Sequence, residues 1–185
     1  MAELEACEAI PGLLIVTPGV HRDPRGMFVE TYRRSWFPDG REMVQANRAD
    51  RKGGSAVGLH FHRHQADYWY VPYGRARIVL HDLRVPDAAD AGTVTLDIGA
   101  APDGEHDHRG VYIPPGVAHG FAALTDMTIT YLVDQYYDPA DELGVAWDDP
   151  AIGADWGVHD PVLSERDNAN PRRDALDLAG SQWRA

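Results

Sequence analysis

The chain has 185 residues, 44% of them hydrophobic, which is enough for one domain with a sizeable core and only marginally enough for two. Its formal net charge of −12 argues against nucleic acid or an anionic membrane as partner, because a protein that binds many phosphate groups needs an excess of Lys and Arg. Cys7 is the single cysteine and excludes an internal disulfide, and the acidic N-terminus lacks the pattern of a signal peptide or membrane span. We therefore expect one cytoplasmic domain over 1–185, with a core at about 10–171 and a C-terminal tail at 172–185.

Short runs rich in Val, Ile, Tyr and Trp alternate with turn clusters of Gly, Pro and Asp along most of the chain. In chain order the runs are GLLIVTPGV, GMFVETYRR, ADYWYVPYG, RARIVLHDLR, GTVTLDIG, GVYIPPGV and MTITYLVDQYY. This rhythm predicts an all-β sandwich or barrel. Helical periodicity is weak, and short helices are expected only near RSWF and in the tail segment RRDALDLAG.

The segment GLHFHRHQADYW, residues 58–69, is the clearest candidate for the wall of a pocket. Side chains alternate along a strand, so His60 and His62 are expected to point to the same face. Inward-facing side chains at the open end of an antiparallel barrel line a pocket. Imidazoles in that position can hold a metal or act as a base.

Two spaced motifs resemble those of the cupin superfamily. From Gly54 to Gly74 the spacing is G-x5-H-x-H-x4-D-x6-G, with Asp67 where the superfamily usually has Glu, and PPGVAH supplies the second motif, ending at His119. The resemblance implies a double-stranded β-helix, that is, a cupin jelly-roll barrel, with short peripheral helices. It also implies a divalent ion on His60, His62, Asp67 and His119; such ligands suit Fe, Mn, Ni, Zn or Cu without choosing among them.

A narrower resemblance covers about residues 10–171. The segments DPRGMFVE, QAN, GLHF, HDLR, YIPPGVAHGF, TYLVDQYYDP, WDDP and LSERDNANP occur in this order in the dTDP-4-dehydrorhamnose 3,5-epimerase family, and the chain resembles a member of it. The resemblance implies an isomerase of rhamnose-type sugar biosynthesis. Such an enzyme abstracts a proton next to the C4 ketone of a nucleotide-linked 4-keto-6-deoxy sugar. It typically requires no cofactor and forms a homodimer.

The same resemblance assigns roles to individual residues. The base is His60, the carboxylate that orients it is Asp167, and the acid on the opposite face of the sugar is Tyr131. These residue types suit the roles, since histidine titrates near neutrality and a carboxylate on its far nitrogen fixes the tautomer. The remaining residues predicted to bind substrate are Arg25, Glu30, Gln45, Asn47, Arg48, Arg109, His119 and Tyr137.

Two departures from the family pattern leave alternatives open. Val57 stands where the family usually has Arg, and Asp67 stands where it usually has Lys, so two cationic contacts are missing. The alternatives are a metal-dependent cupin isomerase or oxygenase with the ion on His60, His62, Asp67 and His119, and a non-catalytic sugar-binding cupin. A metal on His60 competes with its use as a base.

Overall fold

The computed structural model describes residues 2–37, 41–101, 105–178 and 183. The strands within this part of the chain are β1 (Glu3–Ala6), β2 (Leu14–Thr17), β3 (Val20–Asp23), β4 (Gly26–Val29), β5 (Gln45–Arg51), β6 (Ala56–Phe61), β7 (Asp67–Tyr73), β8 (Arg75–Asp82), β9 (Thr93–Ala100), β10 (His106–Asp107), β11 (Gly110–Ile113), β12 (Val117–Ala123), β13 (Met127–Val133) and β14 (Leu143–Val145). A short helix, α1, covers Glu165–Ala169. The helices expected near RSWF and in the tail are single 3₁₀ turns at Arg34–Trp36 and Arg173–Ala175, and residues 179–182 and 184–185 of the predicted tail lie outside the described residues.

Two six-stranded antiparallel sheets form the body of the molecule. One has the order β1-β2-β11-β7-β13-β5 and the other the order β10-β9-β8-β12-β6-β14. The prediction of an all-β jelly-roll barrel is confirmed. Strands β3 and β4 form a separate hairpin that pairs with neither sheet.

The main core lies between the two sheets. Trp69 and Ile129 from the first sheet pack with Ile78, Leu80 and Phe121 from the second. Each large apolar side chain removed from water in this way stabilises the fold by roughly 1.5–3 kcal/mol. Side chains near the ends of the inner strands lie beyond this core, and they line a cavity.

The outer faces of both sheets are also covered. Leu59 and Phe61 of β6 belong to a cluster with Ile152 and Trp156 of the C-terminal segment. On the other sheet, Tyr68 and Tyr112 pack with Trp36 and Phe37. In the described part of the chain, no helix is long and apolar enough to cross a membrane.

A β-bulge in β6 determines what faces the interior. In the pairing of β6 with β12, His60 lies opposite His119 and Val57 opposite Phe121, so three residue steps on β6 match two on β12. The extra residue allows both Val57 and His60 to face inward, although strict alternation would place them on opposite faces. The bulge thereby sets the inward direction of His60 and, two residues on, of His62.

Candidate active site

A cavity of about 430 Å³ opens between the two sheets. Its walls are Gln45, Asn47, Ala49, Arg51, Val57, His60, His62, Gln65, Asp67, Trp69, His119, Phe121, Tyr131, Val133, Tyr137, Glu142 and Arg166. The expectation that His60 and His62 share a face agrees with this lining. Several strands of both sheets therefore contribute polar groups to one enclosed space.

His60 is held by a carboxylate behind the cavity wall. Its Nε2 lies 2.8 Å from Oδ1 of Asp167, and Asp167 is buried. Because a carboxylate accepts hydrogen bonds, this contact places the proton on Nε2 and leaves the lone pair on Nδ1. The Nδ1 atom lies 3.5 Å from Oε1 of Glu142, which also lines the cavity.

Asp167 is fixed in position by the N-terminus of α1. Ser164 caps the helix, accepting a hydrogen bond from the Asp167 amide and donating its hydroxyl to Oδ2 at 2.8 Å. Burial opposes ionisation of Asp167, but the hydrogen bonds from His60, Ser164 and the Gly58 amide outweigh it, so the pKa of this carboxyl lies below its ordinary value. Gly58 leaves room for this carboxylate, since a Cβ at this position would lie 3.0 Å from Oδ1 of Asp167.

Tyr131 lines the same cavity from β13. Burial, together with the negative charge of Asp67, raises the pKa of its phenol. The hydroxyl therefore stays protonated at neutral pH and can act as a proton donor. His60 and Tyr131, the predicted base and acid, thus line one cavity.

A second group of potential ligands lies on the cavity wall beside His60. One ligand atom each from His62, Asp67 and His119 can be chosen so that all lie within 4.8 Å of one another, and all three residues are buried. His60, the fourth member of the predicted metal-ligand set, is not part of this group, and its Nε2 is occupied by Asp167. Burial lowers the pKa of His119 to about 4, so this imidazole is neutral at pH 7.

Four of the predicted substrate-binding residues lie away from this cavity in their own chain. Arg25 lies in the turn of the β3–β4 hairpin and pairs with Asp23. Glu30 follows β4 directly and pairs with Arg33. Arg48 points outward from β5 and pairs with Asp50, and Arg109 pairs with Asp107. Gln45, Asn47, His119 and Tyr137 do line the cavity.

Several polar residues of the cavity wall were not predicted from the sequence, among them Glu142, Arg166, Gln65 and Trp69. Glu142 lies beside His60 and is held by Arg166, whose Nη1 is 3.2 Å from its Oε1. Gln65 and Trp69 donate hydrogen bonds to the carboxylate of Asp67 at 2.8 and 3.1 Å. Gln65 and Trp69 lie two residues on either side of Asp67, a spacing that could have indicated them; Glu142 and Arg166 are brought in by the fold from distant parts of the sequence.

The chain is similar to proteins of one family in both sequence and structure. Residues 8–174 match a family model described as dTDP-4-dehydrorhamnose 3,5-epimerase. A protein of that name from Neisseria gonorrhoeae is 33% identical over 184 residues, 95% of this chain, and this chain spans about half, 51%, of that relative's length. A dTDP-4-dehydrorhamnose 3-epimerase from Streptomyces niveus is 36% identical over 181 residues, 92% of this chain and 81% of the relative. The crystal structure of a 4-keto-6-deoxy sugar epimerase from the novobiocin biosynthetic gene cluster of Streptomyces spheroides matches with a TM-score of 0.81 at 30% identity, over 94% of this chain and 88% of that one.

Proposed function

The chain belongs to the dTDP-4-dehydrorhamnose 3,5-epimerase family, and from that premise we propose that its cavity epimerises a nucleotide-linked 4-keto-6-deoxy sugar. The observation that carries the proposal is the His60–Asp167 hydrogen bond of 2.8 Å on a cavity that Tyr131 also lines. A base with a fixed tautomer and a protonated phenol are the two groups that inversion next to a ketone requires. The activity is an isomerisation and consumes no oxidant or reductant.

His60 is the proposed base. With Nε2–H donated to Asp167, the Nδ1 lone pair removes the proton from C3 or C5 of the sugar. The electrons of the broken C–H bond form a C=C bond, and the carbonyl pair moves onto the C4 oxygen to give an enolate. The imidazolium that forms is stabilised by Asp167, and Glu142 lies 3.5 Å from its Nδ1.

Tyr131 is the proposed acid. It delivers its hydroxyl proton to the opposite face of the same carbon, the C4 carbonyl re-forms, and the centre is inverted. Exchange with solvent then returns a proton to the phenolate and removes one from the imidazolium. Both proton transfers are thus assigned to side chains of the chain itself.

The remaining cavity residues are proposed to position the sugar and its nucleotide. Gln45 donates to Asn47 at 3.0 Å, which orients both amides at the wall. Tyr137, 65% exposed, presents a ring on which a nucleotide base can stack, and Arg51 and Arg166 provide positive charge for a diphosphate. We assign the enzyme to the cytoplasm, where a chain whose one cysteine cannot form an internal disulfide is stable in the reduced state.

The test separates proton removal from inversion. The full chain is incubated in heavy water with a dTDP-4-keto-6-deoxy hexose, and NMR follows deuterium incorporation and the configuration at C3 and C5. Wild type is expected to incorporate deuterium with inversion. Tyr131→Phe is expected to keep incorporation but lose inversion, because the deuterated base can still return its deuteron to the original face. Sugar binding without incorporation by wild type would contradict the proposal and indicate a binding module.

A metal-dependent cupin isomerase or oxygenase is the second candidate, and the cluster of His62, Asp67 and His119 favours it. In this function a metal would carry the chemistry and the base would be dispensable. A His60→Asn variant separates the candidates. Turnover that survives this substitution but stops on metal removal would support the second candidate, and oxygen uptake would identify an oxygenase.

We further propose that the chain acts as a homodimer. The β3–β4 hairpin pairs with neither sheet and exposes Met27 (52%) and Phe28 (68%), so its apolar side chains lack cover within the described chain. Arg25, expected to contact the substrate, lies on this hairpin and does not line the cavity of its own chain, so its proposed role is at the cavity of the second copy. Sedimentation of wild type should give a dimer mass, and Phe28→Asp should shift it toward monomer; a monomeric wild type would contradict the proposal.

A further inference from the structure

The cluster of His62, Asp67 and His119 has the hydrogen bonding of a metal site. His62 Nδ1 lies 2.9 Å from the Asp141 carbonyl oxygen, and His119 Nδ1 lies 2.8 Å from that of Val117. Carbonyl oxygens only accept, so each ring carries its proton on Nδ1 and an electron pair on Nε2. This arrangement, with the outer nitrogen donating to a backbone carbonyl, is the usual second shell of a metal-bound histidine.

Both free nitrogens face the same carboxylate. His62 Nε2 is 3.9 Å from Oδ1 of Asp67, and His119 Nε2 is 3.8 Å from Oδ2, distances too long for a hydrogen bond. Among the described residues, none donates a hydrogen bond to either nitrogen. The two imidazole nitrogens and the carboxylate therefore converge on one point, as the ligands of a cation do.

The ligands are already close to coordinating geometry. Two donor atoms about 2.1 Å from one ion lie about 3.0–3.4 Å apart at octahedral or tetrahedral angles, so the two distances from the histidines to Asp67 need to shorten by under about 1 Å. All three donor atoms lie within 4.8 Å of one another. Gln65 and Trp69 hold the carboxylate of Asp67, and the His119 ring packs edge-on to Trp69 at 5.1 Å. These contacts hold the three donors toward one point on the cavity wall.

We propose that His62, Asp67 and His119 bind one divalent first-row cation, such as Zn²⁺ or Mn²⁺, and that this ion stabilises the enolate oxygen formed when His60 removes the sugar proton. The His₂–carboxylate set leaves coordination positions open toward the cavity. Asp67 by itself places negative charge beside the enolate, and the ion supplies the positive charge that stabilises it. His60 remains free to act as the base because Asp167, and not the ion, holds its Nε2. The binding site is argued from ligand geometry alone, whereas its catalytic role rests on the proposed epimerase function.

Binding is tested on the full chain without an affinity tag. After dialysis against a chelator, the protein is titrated with Zn²⁺ by calorimetry and with Mn²⁺ by electron paramagnetic resonance. We expect one ion per chain, with Zn²⁺ affinity at least about 100-fold weaker in His62→Ala and Asp67→Ala. His64→Ala, which removes an exposed imidazole two residues from His62, is the matched control and should bind as wild type does. Thermal melts establish that each variant is folded. Failure of folded wild type to bind, or equal binding by His62→Ala, would overturn the proposed site.

The catalytic role is tested by deuterium incorporation into the sugar. Removing the metal from wild type should slow incorporation at least about 100-fold, and adding Zn²⁺ or Mn²⁺ should restore it. His60→Asn should still bind one ion but incorporate no deuterium, because the site and the base are separate. Incorporation unaffected by metal removal would overturn the role of the ion while leaving the epimerase intact. Stoichiometric binding in a wild-type chain that incorporates no deuterium would instead overturn the epimerase function, and the ion's role with it, while leaving the binding site.

Discussion

Replacing Asp167 by Asn removes a charge from the active site while changing its shape little. The Asn side-chain oxygen can still accept from Nε2 of His60, and its amide can still meet the Ser164 hydroxyl now bonded to Oδ2. What is lost is the negative charge 2.8 Å from the ring that, in the proposed mechanism, becomes an imidazolium as the sugar loses its proton. The substitution therefore isolates the electrostatic contribution of the carboxylate.

The size of the effect follows from Coulomb's law. Opposite unit charges centred about 4 Å apart attract by about 4 kcal/mol at an effective dielectric constant of about 20. With the proton about half transferred in the transition state, roughly half of this applies, about 2 kcal/mol. At about 1.36 kcal/mol per tenfold change in rate, these limits correspond to a loss of roughly 30-fold to 1000-fold.

The assay is the initial rate of deuterium incorporation from heavy water at saturating sugar, followed by NMR. Asp160→Asn, which neutralises an exposed aspartate seven residues away, is the matched control and should retain the wild-type rate. A thermal melt of each variant establishes that the fold is intact. A loss of less than about fivefold in folded Asp167→Asn would refute the role given to this carboxylate.

Three further predictions follow from other contacts. Gly58→Ala places a Cβ 3.0 Å from Oδ1 and 3.2 Å from Cγ of Asp167, so the carboxylate must shift, and we expect roughly a tenfold slower rate. In a chain that already carries Asp167→Asn, Gly58→Ala should slow the reaction by much less than about tenfold, because both substitutions act on the same carboxylate. If the two rate losses multiplied in full, the mechanism would be contradicted. Asp67→Lys should abolish Zn²⁺ binding yet make deuterium incorporation insensitive to chelators, since an ammonium group replaces the ion; incorporation that still requires metal would contradict this. His81 is fully buried with a pKa lowered to about 4 by burial and by Arg173, so the unfolded chain takes up a proton below about pH 6.5 that the folded chain does not. Stability should therefore fall by on the order of 3 kcal/mol between pH 6.5 and 4, and urea denaturation should show a smaller fall in folded His81→Gln; an equal fall would contradict the assignment.

The strand pattern of the sequence was sufficient to predict the architecture. Apolar runs separated by turn residues predicted an all-β fold, and alternation correctly placed His60 and His62 on one face. The bulge in β6 was not predictable, because GLHF reads as an ordinary strand and the extra residue is defined only by the pairing with β12. Without it, Val57 and His60 would face opposite sides of the sheet.

Asp167 shows where local sequence information ends. Taken alone, SERDNANP indicates a turn or helix cap, and Asp167 does belong to the capped turn of α1. Its contact with His60 joins residues 107 positions apart in the sequence and was predicted only from the family resemblance. Glu142 was missed for the same reason, since its place beside His60 depends on the pairing of β14 with β6.

The predicted arginines show what residue type alone does not determine, namely where the fold directs each side chain. Arg48 and Arg109 were predicted to bind substrate, and each pairs with an aspartate two residues away in the sequence. Short-range ion pairs of this kind are formed by neighbouring side chains on one strand or turn and need no ligand. Arg51 and Arg166 are also arginines, but they do line the cavity. The difference is the direction in which the strand that carries Arg51 and the helix that carries Arg166 point these side chains.

The most direct test of the account is deuterium incorporation by His60→Asn, compared with wild type under identical conditions and metal content. We predict that wild type places solvent deuterium on the carbon next to the C4 ketone and that the folded variant places essentially none. Incorporation by the variant at the wild-type rate would contradict the assignment of His60 as the base.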